Sequence, residues 1–295
     1  ALIQRVMAKR EEQEGIKILA PLSTVSDTGT TGSFYAARDN LDLNEYDGIT
    51  SSEHSWKYLE EHLVLYKPDI AQQSTPKAQL KLLDFKMRIM KRALQQRAIK
   101  GYLSDGTTAT GVLTANQWTG IAAVIVASGS YGGFSSTDLA TWLSYVDGNS
   151  GTPRTLTQAI VDKGHDQAQD GTMNGPTMAV MNKAVFTKFR GILTAFQQIQ
   201  MERGKDGSLS GLGQKGQSVN YNGIDYFVEN QLTADSIVYI DENNFKLIVD
   251  PNNYLRTEKH QTLETADAML IRKFLYGNTV AFERKYHSRI DDITV

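Results

Sequence analysis

The first place to look for chemistry is Gly211-Leu-Gly213-Gln-Lys-Gly216, which matches the glycine pattern that cradles a dinucleotide pyrophosphate. That chemistry needs a strand before the first glycine and a helix after the last, so that the helix N-terminus meets the phosphates. Here Gly204-Lys-Asp-Gly-Ser-Leu-Ser210 is a polar loop and Gln217–Val228 reads as a β-hairpin. The context fails on both sides, and the motif reads as a loop. The five histidines (His54, His62, His165, His260, His287) include no pair at metal-ligand spacing on one element. His165 lies near Asp162, Asp166 and Asp170, the composition of a polar helix end. Zero cysteines exclude thiolate catalysis, disulfides and cysteine zinc sites together. No Gly-x-Ser-x-Gly elbow, Walker loop or calcium-binding loop occurs. Glu60–Glu61 and Asp291–Asp292 are adjacent in sequence, which does not make a catalytic pair. We expect no catalytic residue, no cofactor and no metal ligand.

Charge is the informative feature, because it is segregated. Between Lys77 and Lys100, five lysines and three arginines (Lys77, Lys81, Lys86, Arg88, Lys91, Arg92, Arg97, Lys100) stand against Asp84 alone. From Asp39 to Glu61, seven acids (Asp39, Asp42, Glu45, Asp47, Glu53, Glu60, Glu61) stand against Lys57 alone. Three readings fit. Both segments can be solvated faces; an acidic projection of one copy can lie on the basic helix of another; or the helix can face nucleic acid. The candidate contact residues are Lys77, Lys81, Arg88, Lys91 and Arg92 on the basic side, and Asp39, Asp42, Glu45, Asp47 and Glu53 on the acidic side. A net charge of −2 argues against a surface that grips nucleic acid all over, and leaves a local patch open.

The elements that position these charges follow from periodicity. Residues 1–14 read as a short exposed helix or arm. Residues 22–55 are dominated by Ser, Thr, Gly, Asp and Asn and cannot bury enough surface to form a core. Trp56–Pro68 suits a strand. Leu83, Met87, Met90, Leu94 and Ala98 recur at spacings of three and four, predicting a helix over 76–101, with Pro76 in its first turn, Ser74 or Thr75 as cap and Gly101 as stop. Thr137–Val146 contains a strand, Thr155–Gln169 and Lys183–Met201 read as helices, and Thr177–Met181 as a short buried strand. Phe186, Phe189 and Phe196 fall in phase as core. Tyr221-Asn-Gly-Ile224 predicts a hairpin. Two more hairpins are expected, one joining Ser236–Ile240 to Phe245–Val249 and one turning at Gly277-Asn278. The class is α+β with mainly antiparallel pairing. The apolar run Ile121–Ala127 is far short of the ~20 residues that cross a bilayer, and the first ten residues lack a signal-peptide core. The chain reads as soluble, with no membrane partner.

Taken in order, these segments resemble the major capsid proteins of tailed bacteriophages, the Hong Kong 97-type fold, over nearly the whole chain. The polar stretch followed by Trp56–Pro68 looks like that family's E-loop, a hairpin reaching over a neighbouring subunit. The 76–101 helix, ending Ile99-Lys-Gly-Tyr-Leu-Ser-Asp-Gly-Thr107, looks like its spine helix. Ser130–Val146 and Pro176–Arg190 are similar to segments of one phage capsid branch, and Tyr221–Val249 follows family spacing. The resemblance implies an N-terminal arm (1–21), an E-loop (22–70), a P-domain spine helix (71–103), A-domain parts at 104–136 and 150–250, a P-domain strand at 137–149, and P-domain strands with the C-terminus at 251–295. It implies self-assembly into pentamers and hexamers of an icosahedral shell around double-stranded DNA, in a virion built in the bacterial cytoplasm, with portal, scaffolding or decoration proteins as further partners. Since no long scaffolding segment is seen before the fold, the resemblance implies either a leader removed before Ala1 or a separate scaffold. An encapsulin-type nanocompartment, which shares the fold, is the alternative.

Overall fold

The strongest periodic signal forms the longest helix. The computed structural model describes residues 2–23, 49–72, 75–104, 116–137, 142–169, 174–193, 218–233, 235–258, 261–262 and 267–294. In chain order the described helices are α1 (Leu2–Ala8), α2 (Lys67–Ala71), α3 (Pro76–Leu103), α4 (Ile121–Val124), α5 (Gln158–Asp166) and α6 (Lys183–Ile192). Thr75 caps α3 by accepting from the Ala78 N–H at 3.3 Å, and Pro76 fills the first position. The helix runs through Gly101 to Leu103 instead of stopping there. Gly101 serves packing: a Cβ on it would meet the Trp118 ring at 3.3 Å.

Two six-stranded sheets carry the body. In the first, the 14-residue β15 (Ala268–Ala281) pairs along one edge with β4 (Lys57–Tyr66), from Ala268 opposite Tyr66 to Gly277 opposite Lys57. Its other edge takes β12 (Phe245–Val249), β13 (Arg256–Thr257) and β14 (Gln261–Thr262) in succession, and β1 (Glu11–Glu12) adds in parallel to β12. The second sheet has the order β7 (Tyr145–Asp147), β16 (Ser288–Ile290), β11 (Ile237–Ile240), β8 (Met178–Met181), β10 (Ile224–Val228), β9 (Ser218–Tyr221). Its β7–β16 and β8–β10 pairs are parallel, so the sheets are mixed, although most pairs are antiparallel as expected. Two ribbons complete the described strands, β2 (Ile18–Ser23) with β3 (Ile49–His54) and β5 (Ser130–Tyr131) with β6 (Phe134–Ser135).

One expected hairpin forms. Asn222 and Gly223 both take positive φ (51° and 79°), as a tight two-residue turn requires, and join β9 to β10. The other two do not. β11 already has β8 and β16 on its two edges and is buried throughout, so β12 crosses to the other sheet. Asp241 builds the crossing by accepting from Asn243 N–H (3.0 Å) and the Asn244 amide (2.6 Å). Gly277-Asn278 lies inside β15. A Cβ on Gly277 would sit 2.6 Å from the Ile248 carbonyl oxygen of β12. The buried Asn278 amide accepts from Thr119 N–H (2.8 Å) and donates to the Ser55 carbonyl (2.9 Å), tying the strand to two distant loops. Tertiary partners overrode the turn signal.

Four other expectations change. The N-terminal segment is not exposed: Leu2, Ile3 and Val6 are buried in the main core with Ala98, Tyr102, Trp118 and Leu247. Of the strand expected within 137–146, the described residues form Tyr145–Asp147, with Trp142 buried before it, and 138–141 lie outside the described ones. Helix α5 is shorter than 155–169, and α6 ends where Leu193 turns extended; residues 194–201 lie outside the described ones. β4, which the resemblance places in a projecting loop, is a body strand paired over its whole length. A second core holds Phe186 and Phe189 of α6 against Tyr221, Tyr226 and Tyr239.

Candidate interaction surface

Helix α3 spans about 42 Å at 1.5 Å per residue, and only its second half is covered. Met90, Leu94 and Ala98 are buried, followed by Tyr102, one contact every helical turn. Toward the N-terminus that stripe runs out into solvent at Leu83 (36% exposed) and Leu80 (67%), and on the opposite side of the helix Phe85 (62%) and Ile89 (53%) are exposed as well. Each such side chain forgoes part of the roughly 1.5–3 kcal/mol that full burial gives.

The basic residues divide into two groups. Lys86 and Arg97 hold α3 to its own chain, Lys86 to Asp69 of α2 at 3.6 Å and Arg97 to Glu61 of β4 at 2.9 Å. Lys77, Lys81, Arg88 and Arg92 fall within about 60° of one another around the helix, with Lys91 about 40° to one side. All five are exposed. Arg88 is engaged by Asp84 one turn back, both side chains largely in solvent. The other four have no ion-pair partner among the described residues. The predicted basic stripe is thus brought together on one exposed face, beside apolar side chains that the described residues leave largely open.

Of the acidic candidates, Asp39, Asp42, Glu45 and Asp47 lie outside the described residues, and so does the glycine motif 211–216. At Ser218 the chain enters a strand, where a dinucleotide site needs a helix. Glu53 stands exposed on β3 and engages Lys17 of its own chain. Residues 24–48, between the paired strands β2 and β3, lie outside the described residues.

Sequence reasoning missed what fastens that ribbon. His54 of β3 is buried with its ring 4.9 Å from that of Tyr131, and its Nε2 lies 3.1 Å from Ser52 Oγ. Burial pushes the imidazole down to about 4, so it is neutral. Gly132, at φ 59°, lets the β5–β6 turn press on the ribbon; a Cβ there would meet Ser52 Cβ at 2.5 Å. Beneath, Arg284 is 1% exposed and has no carboxylate partner among the described residues. Its guanidinium lies 5.3 Å from the Tyr131 ring and 5.1 Å from that of Trp142, and donates to the Val124 carbonyl at 2.8 Å. A lone arginine in Phe282-Glu-Arg-Lys-Tyr286 carries no sequence signal of this role.

Among the described residues no group of three His, Asp or Glu is placed to hold a metal ion, and no helix is long and apolar enough to cross a membrane. The described residues offer a charged, partly apolar helix face and an anchored ribbon.

No family model and no curated protein matches the sequence. Solved structures do. The cyanophage A-1(L) capsid asymmetric unit matches with a TM-score of 0.65 at 14% identity, covering 100% of this chain and 93% of that one. The capsid of the native GTA particle matches with a TM-score of 0.59 at 11% identity, covering 96% and 87%. This chain has the phage capsid fold. The same fold extends to the SrpI encapsulin of Synechococcus elongatus, with a TM-score of 0.57 at 9% identity, covering 98% and 87%. These capsid-fold neighbours are shell proteins, and the α+β class expected from the sequence is theirs.

Proposed function

We propose that this chain is the major capsid protein of a tailed bacteriophage, of the Hong Kong 97 type, without enzymatic activity. Copies assemble into pentamers and hexamers that tile an icosahedral shell around double-stranded DNA. In this reading α3 is the spine helix, packed with β4 and β15 in the P-domain, and the β2–β3 ribbon carries the E-loop. The observation that carries the proposal is the half-finished burial of α3 in a chain whose whole length matches shell subunits. Leu80, Leu83, Phe85 and Ile89 beside four unpaired bases make a surface that a second copy completes. The acids Asp39, Asp42, Glu45 and Asp47 of a neighbour supply the complementary charge for Lys77, Lys81, Arg88, Lys91 and Arg92. Scaffolding, decoration and portal proteins are the further partners of such a shell, and the virion, built in the host cytoplasm, is its location.

Electron microscopy of the purified chain tests this directly. Shells or capsomers are expected, and a stable monomer at high concentration overturns it. The likeness to an encapsulin favours a second reading, a protein-filled compartment. Mass spectrometry of native particles separates the two: a cargo enzyme in one case, tail and portal proteins with DNA in the other.

A further inference from the structure

On the face of the first sheet opposite α3, four separate segments enclose a concave site of about 360 Å³ lined by Glu14, Trp56, Tyr58, Asp250, Asn252 and Tyr276. We propose that this site receives a lysine or arginine side chain from the basic stripe of α3 in a second copy. The inference rests on the shell reading above and adds to it a specific contact.

The floor of the site is aromatic and fixed. Tyr58 and Tyr276 are directly opposite in the β4–β15 register and meet edge to face, with centroids 4.7 Å apart. The Trp56 indole is held by donating to the Gly15 carbonyl at 2.8 Å. Tyr58 nevertheless stays 66% exposed. The rim is acidic. Asp250 accepts from Asn252 N–H at 2.9 Å and from the Asn253 amide at 2.5 Å, and Glu14 accepts from the Asn252 amide at 3.4 Å. Neither carboxylate has an ion-pair partner among the described residues, and no lysine or arginine lines the site.

Two carboxylates and aromatic rings lining one site attract a cation twice, by charge and by the ring quadrupoles. A neutral ligand would leave both carboxylates without a counterion. Unpaired cations exist on this molecule where Lys77, Lys81, Lys91 and Arg92 stand exposed on α3. They cannot reach the site of their own chain. Successive residues of a strand face opposite sides, and Glu61 of β4 turns toward Arg97 of α3 while Leu59 packs on the core. Tyr58 therefore opens on the far face, and the cation comes from another copy.

The chain has no cysteine, so introduced thiols are unique. Glu14→Cys is combined in turn with Lys77→Cys, Lys81→Cys, Lys91→Cys and Arg92→Cys, and assembled particles are treated with a short bis-maleimide. A ladder of multimers on a denaturing gel is expected for at least one pairing and from none of the single variants. Particles that assemble but give no ladder in any pairing overturn the contact and leave the shell reading standing. Failure of the unmodified chain to assemble removes the shell reading and the contact with it. Where Glu14→Cys blocks assembly, Asn252→Cys takes its place. A second readout needs no crosslinker: Tyr58→Ala with Glu14→Gln should lower the dissociation temperature of the particle by more than it lowers the melting of the unassembled chain. An unchanged dissociation temperature counts against the contact.

Discussion

Arg5 and Glu242 stand 237 residues apart, and Arg5 Nε donates to Glu242 Oε1 at 2.5 Å. Lys9 adds a second bond to the same carboxylate at 3.1 Å, and the Glu242 side chain is 4% exposed. This cluster fastens α1, whose Leu2, Ile3 and Val6 enter the core, to the crossing between the two sheets. Removing the charge leaves Lys9 without its ion pair and Arg5 with Asp225 alone. Glu242→Gln should cost about 3 kcal/mol, the low end for a broken buried pair because Arg5 keeps Asp225 at 3.2 Å. Urea unfolding of the unassembled chain measures it. Glu12→Gln, which breaks only the exposed pair with Arg10, should change stability by under ~0.5 kcal/mol.

Gly120 and Gly101 should respond very differently to alanine. A Cβ on Gly120 would lie 2.4 Å from the Gly101 carbonyl oxygen and 2.5 Å from that of Tyr102, both rigid backbone at the end of α3. Gly120→Ala should therefore cost at least ~3 kcal/mol of stability through overpacking. Gly101→Ala meets the Trp118 ring at 3.3 Å and gains about 1 kcal/mol of helix propensity, so its net change should be near zero. Thermal melts of the two variants check the order.

Acid should weaken the fold through two histidines. Burial holds His54 down to about 4 and His287, which accepts from Asp241 N–H at 3.0 Å, down to about 3. Unfolded histidine titrates near 6.5, so below that pH the unfolded chain binds more protons than the folded one. The stability of the neutral forms is complete above pH 6.5 and falls toward pH 4, by about 1.4 kcal/mol per pH unit for each histidine. His54→Gln should remove one proton's worth of that slope between pH 6.5 and 4.5. Urea midpoints measured across this window, for the wild type and the variant, decide it; an unchanged slope would show His54 is not the group.

Reversing charge on α3 should separate assembly from folding. Lys81→Glu, Arg88→Glu and Lys91→Glu together touch only exposed side chains, so the unassembled chain should keep its stability within ~0.5 kcal/mol. Shell formation, followed by sedimentation and microscopy, should be lost or weakened. Normal shells of unchanged thermal stability would refute pairing with a neighbour's acids. Loss of DNA retention alone would assign the stripe to the interior.

Truncating the exposed apolar residues makes the complementary test. Leu80→Ser, Phe85→Ser and Ile89→Ser remove little surface that is buried within one chain, and should leave its melting nearly unchanged while abolishing particles. A large drop in the melting of the unassembled chain would mean that these residues are covered within their own chain.

Local signals were legible in the sequence. The three-and-four spacing from Leu83 to Ala98, Thr75 before Pro76, and Asn222-Gly223 each act through neighbours within a few residues, so α3 and the β9–β10 hairpin needed no tertiary information. The basic stripe was equally plain, because helical geometry alone puts Lys77, Lys81, Arg88 and Arg92 together. What the fold decided were the places where a local preference met a distant partner. Gly277-Asn278 reads as a turn, yet the approach of Ile248 and the bonds to Thr119 and Ser55 hold it inside a 14-residue strand. Phe245–Val249 looks like the return strand of Ile237–Ile240 until β8 and β16 occupy both edges. Leu83 and Met90 share one stripe in the sequence, but only Met90 finds a core, since burial depends on where the body ends. The site that pairs Tyr58 with Tyr276 joins residues from segments far apart in the chain, and pairing over such distances leaves no mark in the order of residues.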